Sequence, residues 1–232
     1  MRIGASTLFN PAAIEEAVMQ LVGIGIKDIE LCLVDSVPEI GRLKSLKKET
    51  GLDYSIHAPF LLVDLAHPHP KIRALSRDLV RQAIDMAAEL KAFPLTVHPG
   101  QFAYESLLPK ERAFAAFRIT TKEYLDHAVK SLAELSAYAR ASGVKLCIEN
   151  LVSGVGADPE RVRRLLSEVD SLGFTLDIGH AHITGGLEVY LGLDPIHFHL
   201  HDNDGKGDNH LPLGEGNLDI IPVLKQLKES RG

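Results

Sequence analysis

Apolar and polar positions along the chain follow two periods. In Ile196-His197-Phe198-His199-Leu200-His201 the apolar residues take one face and three histidines the other. Leu146-Cys147-Ile148-Glu149, Phe174-Thr175-Leu176-Asp177, Leu95-Thr96-Val97-His98 and Ile29-Glu30-Leu31-Cys32-Leu33 repeat the rule. Side chains alternate across a strand, so these runs predict strands with one apolar face and one polar face. Strands are expected over 2–6, 28–34, 53–57, 94–98, 144–149, 174–177 and 196–202. Between them lie stretches with helical spacing: 11–24, 37–50, 70–91, 109–142, 158–172, a short one at 187–193, and a last one over 219–230. Asn10-Pro11, Asp158-Pro159, Pro70 and Pro109 suit first turns of helices. Gly25, Gly51, Gly143 and Gly173 fall where helices should end.

Strand–helix alternation of this kind predicts a parallel sheet with helical crossovers. Strands buried in an open, doubly wound sheet are apolar on both faces, and these are not. No glycine-rich phosphate loop follows the first strand. The expected fold is therefore an α/β (β/α)8 TIM barrel with a polar lumen, a single domain over 1–232. Seven strands are legible, and the segment after the seventh reads as a helix, so the barrel is expected to lack its eighth strand. Strands one and seven would then present open edges, which a second copy in a homodimer could cover.

Composition narrows the function. Lys and Arg total 25 against 31 Asp and Glu, a net charge of −6, which gives no overall electrostatic footprint for nucleic acid. Trp is absent and aromatics are 6 %, too few for stacking platforms. Cys32 and Cys147 stand far apart and in no metal or redox spacing, which fits a reducing compartment. With no charged region followed by an apolar one at the N-terminus, and no apolar run near the roughly 18 residues of a membrane span, a cytoplasmic protein without membrane contact is expected.

The chemistry lies in the 11 histidines and where they fall. In a TIM barrel the active site sits at the C-terminal ends of the strands. The last inward residues of successive runs are His57, His98, Glu149 and Asp177, with His180 just after; the seventh run adds His199 and His201, and the following loop Asp208 and His210. Imidazoles and carboxylates converging on one rim are what a divalent cation needs. His127 is expected to face solvent, His67 and His69 to be loop residues, His182 to lie in a tight turn, and His197 to pack deeper in the lumen. Glu30 points inward on strand two, as a substrate-binding or supporting carboxylate or the partner of a lumen cation.

At these positions the chain resembles the xylose isomerase-like TIM barrel superfamily, which holds sugar isomerases and epimerases together with type IV apurinic endonucleases. The resemblance spans the chain and rests on His57-Ala58-Pro59, His98-Pro99-Gly100, Ile148-Glu149-Asn150, Asp177-Ile178-Gly179-His180, His199-Leu200-His201-Asp202 and Leu213-Gly214-Glu215-Gly216-Asn217. By the endonuclease pattern it implies one zinc on His57, His98 and Glu149, a second on Glu149, Asp177 and His199, and a third on His180, Asp208 and His210. By the epimerase pattern it implies one manganese-type ion on Glu149, Asp177 and His199, with Glu149 also the catalytic acid/base. Asn150, His201 and Glu215, with Glu30, are expected at the substrate or behind the ligands. Both patterns use a strand-eight glutamate that has no counterpart here.

Three functions follow from the resemblance. The chain is a metal-dependent isomerase or epimerase-like enzyme of a small sugar or related carbonyl compound, with one to three Zn or Mn ions; or an endonuclease IV-like phosphodiesterase acting on abasic DNA; or a non-catalytic metal-binding barrel. The acidic charge and compact loops favour the first, because backbone binding to DNA requires several Lys and Arg contacts. The apolar stretch Ala58-Pro59-Phe60-Leu61-Leu62 stands where a DNA-probing loop would carry polar groups.

Overall fold

The computed structural model describes residues 2–8, 13–34, 39–61, 63–101 and 120–229. Seven parallel strands form one sheet in chain order: β1 Ala5–Ser6, β2 Asp28–Cys32, β3 Asp53–His57, β4 Leu95–Val97, β5 Leu146–Glu149, β6 Gly173–Asp177 and β7 His197–His199. The described helices are α1 Ile14–Gly23, α2 Ile40–Thr50, α3 Pro70–Leu90, α4 Thr121–Ala141, α5 Pro159–Glu168, α6 Ile178–Thr184, α7 Leu187–Leu191 and α8 Ile220–Glu229.

Neighbouring strands lie about 4.8 Å apart, so a flat sheet would separate β2 from β7 by roughly 24 Å. Instead Glu30 Oε2 on β2 lies 3.0 Å from His197 Nε2 and 3.1 Å from His199 Nε2 on β7. The sheet is therefore curled into a barrel of the TIM type, with seven strands among the described residues. Alternation decides which side chains fill it. Ile29, Leu31, Tyr54, Ile56, Leu95, Val97, Leu146, Ile148, Phe174 and Leu176 are buried in one core cluster with helix residues such as Leu43, Val80, Ile84, Leu132 and Leu165. The alternate positions meet across the lumen, where the Thr96 and Thr175 hydroxyls lie 2.8 Å apart. Cys32 and Cys147 are buried and free, and burial pushes the Cys147 thiol up to about 12.

Local chemistry accounts for most element ends. Asp158 accepts the Glu160 N–H ahead of Pro159, and His69 accepts the Lys71 N–H ahead of Pro70. Thr120 and Glu123 form a reciprocal capping box on α4. The helix expected over 109–142 is thus seen as Thr121–Ala141; 109–119 and the Asn10-Pro11 start lie outside the described residues. Gly173, expected as a helix end, opens β6 instead. A side chain there would collide with Cys147 Sγ, so its bareness serves sheet packing. The tight turn expected after Asp177 is helix α6, because the Asp177 carboxylate accepts the His180 N–H at 2.7 Å. His127 is half-buried rather than solvent-facing, with its Nδ1 3.3 Å from an Arg73 guanidinium nitrogen.

The seventh strand is shorter than expected because Asp202 redirects the chain. Its backbone pairs with Leu211 in both directions at 2.8 Å, and its carboxylate accepts N–H bonds from Asn203, Gly214 and Leu218 at 2.8, 2.9 and 3.0 Å. Burial would raise this carboxyl, but the ring of N–H donors holds it below its usual value. Asp202→Ala would strand those donors, and a melting temperature several degrees lower is expected. A carboxyl made more acidic by folding contributes fully above its unfolded value, about 4, and less as pH falls below it. Asp202→Asn should therefore flatten the acid limb of a stability–pH curve, and an unaltered limb would exclude the carboxylate as its source. No helix among the described residues is long and apolar enough to cross a membrane.

Candidate metal centre

From β3 onward, successive strands deliver side chains to one rim. His57 closes β3, and its Nδ1 lies 2.8 Å from the Ala58 carbonyl. His98 follows β4 and sets its ring edge-on to His57, with centroids 4.9 Å apart. Glu149 closes β5 and is 2 % exposed. Its Oε2 lies 3.0 Å from His57 Nε2 and 3.2 Å from His98 Nε2, and its Oε1 lies 2.5 Å from His199 Nδ1. Asp177 closes β6, with its Oδ2 3.9 Å from the same His199 nitrogen. Asn150 is held between strands: its amide donates to the Asp177 carbonyl at 2.8 Å and accepts the Asp177 N–H at 2.7 Å. It positions Asp177 through the backbone.

Beyond this group the rim continues. His180, on α6, has its Nδ1 2.8 Å from the Asn150 carbonyl and its Nε2 3.2 Å from Asp208 Oδ2. His210 Nε2 lies 3.3 Å from Asp208 Oδ1. Four sets of side chains offer ligand atoms within 4.8 Å of one another: His57, His98 and Glu149; Glu149, Asp177 and His199; Glu30, His197 and His199; and His180, His201, Asp208 and His210. The first two share Glu149 and the middle two share His199. An open cavity of about 1660 Å³ runs along the lumen from Arg2 and Asp28 at one end to Glu149, His199 and His210 at the other.

These sets fit a cation on electrostatic grounds. An Nδ1–H of His57 or His180 donated to a backbone carbonyl leaves Nε2 with a bare lone pair facing a carboxylate oxygen. Two electron-rich atoms at 3.0–3.2 Å repel unless a proton or a metal ion lies between them. The electrostatic surroundings of these groups reflect the same demand. Burial would raise the Glu149 carboxyl, yet the His199 charge and bonds from His199, His57 and His98 hold it well below its usual range. Glu30 is likewise held low by His199 and His197 against its burial. Burial would lower His180, but Asp177, Asp208 and Glu149 push it up to about 10. Buried carboxylates kept charged require compensating positive charge.

Most of the expected site residues meet at this rim. His57, His98, Glu149, Asp177, His180, His199, Asp208 and His210 all belong to one of the four sets. Glu215 does not: it is exposed and off the cavity wall, in a loop drawn back by Asp202. The pairing of Glu30 with His197 and His199, and the place of His201 beside Asp208, were not specified by sequence. The signal was the shared face of His197, His199 and His201; their depth in the barrel depended on where β7 ends. Gly179 lies against the His201 ring so closely that a Cβ would fall inside it. Gly179→Ala should overpack this corner, at about 1–3 kcal/mol, and thermal unfolding would register it; an unchanged midpoint would mean the ring moves freely.

Comparison with known proteins agrees with this geometry. The model of the family described as xylose isomerase-like TIM barrel matches residues 20–231. An uncharacterized protein of Methanocaldococcus jannaschii is 34 % identical over 205 residues, covering 84 % of this chain, which spans 66 % of that relative's length. A probable endonuclease 4 of Mycobacterium leprae is 29 % identical over 197 residues, covering 78 % of this chain and 71 % of its own. Among solved structures, a D-tagatose 3-epimerase-like protein superposes with a TM-score of 0.86 at 29 % identity, covering 100 % of this chain and 87 % of that one. The curled seven-stranded sheet, the rim of imidazoles and carboxylates and the match over nearly the whole chain lead to one conclusion: the chain belongs to the xylose isomerase-like TIM barrel family.

Proposed function

We propose that the protein is a metal-dependent sugar isomerase or epimerase-like enzyme acting on a small polyhydroxy carbonyl compound, with Glu149 as the proton carrier. The observation that carries this reading is the division of labour between the two Glu149 oxygens. Oε1 faces His199 Nδ1, which also lies near the Asp177 carboxylate, while Oε2 faces His57 and His98. Glu149, Asp177 and His199 would hold a Zn or Mn ion. Such an ion, when bound, supplies Lewis-acid polarisation of a substrate carbonyl and its neighbouring hydroxyl.

The chain's own groups then move the proton. Glu149 Oε2 accepts the proton from the carbon next to the carbonyl, and the C–H electron pair becomes a C=C bond as the carbonyl oxygen takes the charge. His57 and His98 stand 3.0 and 3.2 Å from that oxygen and tune its basicity. Return of the same proton to the former carbonyl carbon, with the hydroxyl proton passing to the charged oxygen as the neighbouring C–O becomes the new carbonyl, gives aldose–ketose exchange with one carboxylate. Inversion at a single carbon needs a second donor on the opposite face, and the described residues offer Glu30 and His197 across the lumen. The net charge of −6 and the extent of the cavity suit an uncharged polyol better than a polyanion.

A second reading has its own support. His57, His98 and Glu149 form a ligand-type set of their own, and the similarity to a probable endonuclease 4 covers most of the chain. Here the protein would hydrolyse phosphodiesters at abasic sites. The experiment is incubation with a panel of aldoses and ketoses in D2O with Mn²⁺ or Zn²⁺, following deuterium uptake beside the carbonyl by NMR. An abasic duplex at low salt runs in parallel. Uptake supports the sugar reading; nicking without uptake replaces it with the endonuclease; neither, with metal bound, leaves a binding barrel.

A further inference from the structure

His197 and His199 lie two residues apart on β7, so the period of the strand turns both imidazoles into the lumen. Across the lumen β2 sends in Glu30. A single oxygen of it, Oε2, serves both rings, 3.0 Å from His197 Nε2 and 3.1 Å from His199 Nε2. The rings stand nearly perpendicular, at 85°, with centroids 5.3 Å apart. One carboxylate oxygen has two lone pairs and can accept both N–H groups. The Glu30 side chain is 11 % exposed, so water competes little for that oxygen.

His199 is addressed from both sides. Its Nδ1 lies 2.5 Å from Glu149 Oε1 and 3.9 Å from Asp177 Oδ2. Its Nε2 meets Glu30. An imidazole ligand gives one nitrogen to a cation while the other keeps its proton, and the partner of that second nitrogen decides which is which. An acceptor at Nε2 holds the proton there and leaves Nδ1 bare toward Glu149 and Asp177. A carboxylate behind the ring also makes it a stronger donor to the ion. His197 supplies the second N–H, which keeps Glu30 in line with β7. Among the described residues β7 pairs with β6 alone, so this contact with β2 steadies its inner face from the other side.

We propose that Glu30 is the positioning residue of the Glu149 centre: it fixes the tautomer and attitude of His199, and His197 holds it in place. The inference rests on the reading that Glu149, Asp177 and His199 hold a divalent cation. It is independent of the reaction performed there.

Zinc-loaded protein labelled with ¹⁵N-histidine tests it. Long-range ¹H–¹⁵N spectra should show His199 with zinc on Nδ1 and a proton on Nε2. Occupancy of His199 can be followed in the same spectra against buffered free Zn²⁺. In Glu30→Leu, half-occupancy should need roughly 10–100-fold more zinc, the range typical of a lost outer partner. Glu30→Gln keeps an acceptor oxygen without the charge, and its midpoint should fall between; it also carries the test if Glu30→Leu does not fold by circular dichroism. Zinc on Nε2 of the unaltered protein would overturn the proposal, because Glu30 and His197 would then be ligands themselves. So would an unchanged midpoint in the folded variants, the result expected if Glu30 serves only as a proton donor to substrate. Zinc on neither nitrogen of His199 would overturn it together with the centre on which it rests. The sugar panel can fail while the zinc result stands, which separates this inference from the proposed reaction.

Discussion

Glu149→Ala should remove turnover and lower metal content together. Glu149 is the only described side chain common to the two ligand-type sets at the centre of the rim, and each of its oxygens serves a different one. Its loss leaves His57, His98 and His199 without the carboxylate that draws them together. General acid–base groups contribute roughly 10²–10⁴-fold to rate, and loss of the ion adds to that, so the fall in kcat/KM should lie at the upper end or beyond. Elemental analysis of the purified variant supplies the second readout. Full metal content in Glu149→Ala would refute its role as a metal ligand even if activity vanished. Full activity would refute the proton-carrier role.

Removal of bound metal should lower the melting temperature by about 5–10 °C. A cation that binds the folded chain at 100 times its Kd stabilises it by about 2.7 kcal/mol. A domain of this size shifts by roughly 2–4 °C for each kcal/mol. The imidazoles and carboxylates of the rim are drawn from distant parts of the chain, so the unfolded state offers no comparable site and the linkage acts almost fully on the native state. Stripped protein titrated with Zn²⁺ or Mn²⁺ should recover the higher midpoint in a saturable way. A midpoint that stays flat across the titration would mean that protons alone neutralise Glu149, Glu30 and Asp208.

The barrel and most of its rim were legible because both follow from period. Alternation on strands sorted apolar outward from polar inward residues, and the last inward residue of each run landed on the rim at His57, Glu149 and Asp177. What sequence left open depended on contacts between distant elements. Glu30 reads as an isolated inward carboxylate until the sheet curls and brings His197 and His199 to it. His201 reads as one more histidine on strand seven until Asp202 ends the strand and turns it toward α6. Glu215 sits in a motif that resembles the family's, yet the Asp202 carboxylate draws its backbone neighbours inward and leaves its side chain outside. Gly173 is a helix terminator by local rules and a packing requirement by tertiary ones.

The contact of Glu30 with His197 and His199 also has a kinetic consequence. It joins residues 167 and 169 positions apart, and it forms only when the second and seventh strands meet. Pairings of such long range are made late, after loop closure has been overcome. Of the sets that share His199, only the one with Glu30 and His197 spans the second and seventh strands, so a cation held by that set would be captured only by a chain in which those strands have already met. The rate of such capture during refolding would then time the closing of the ring.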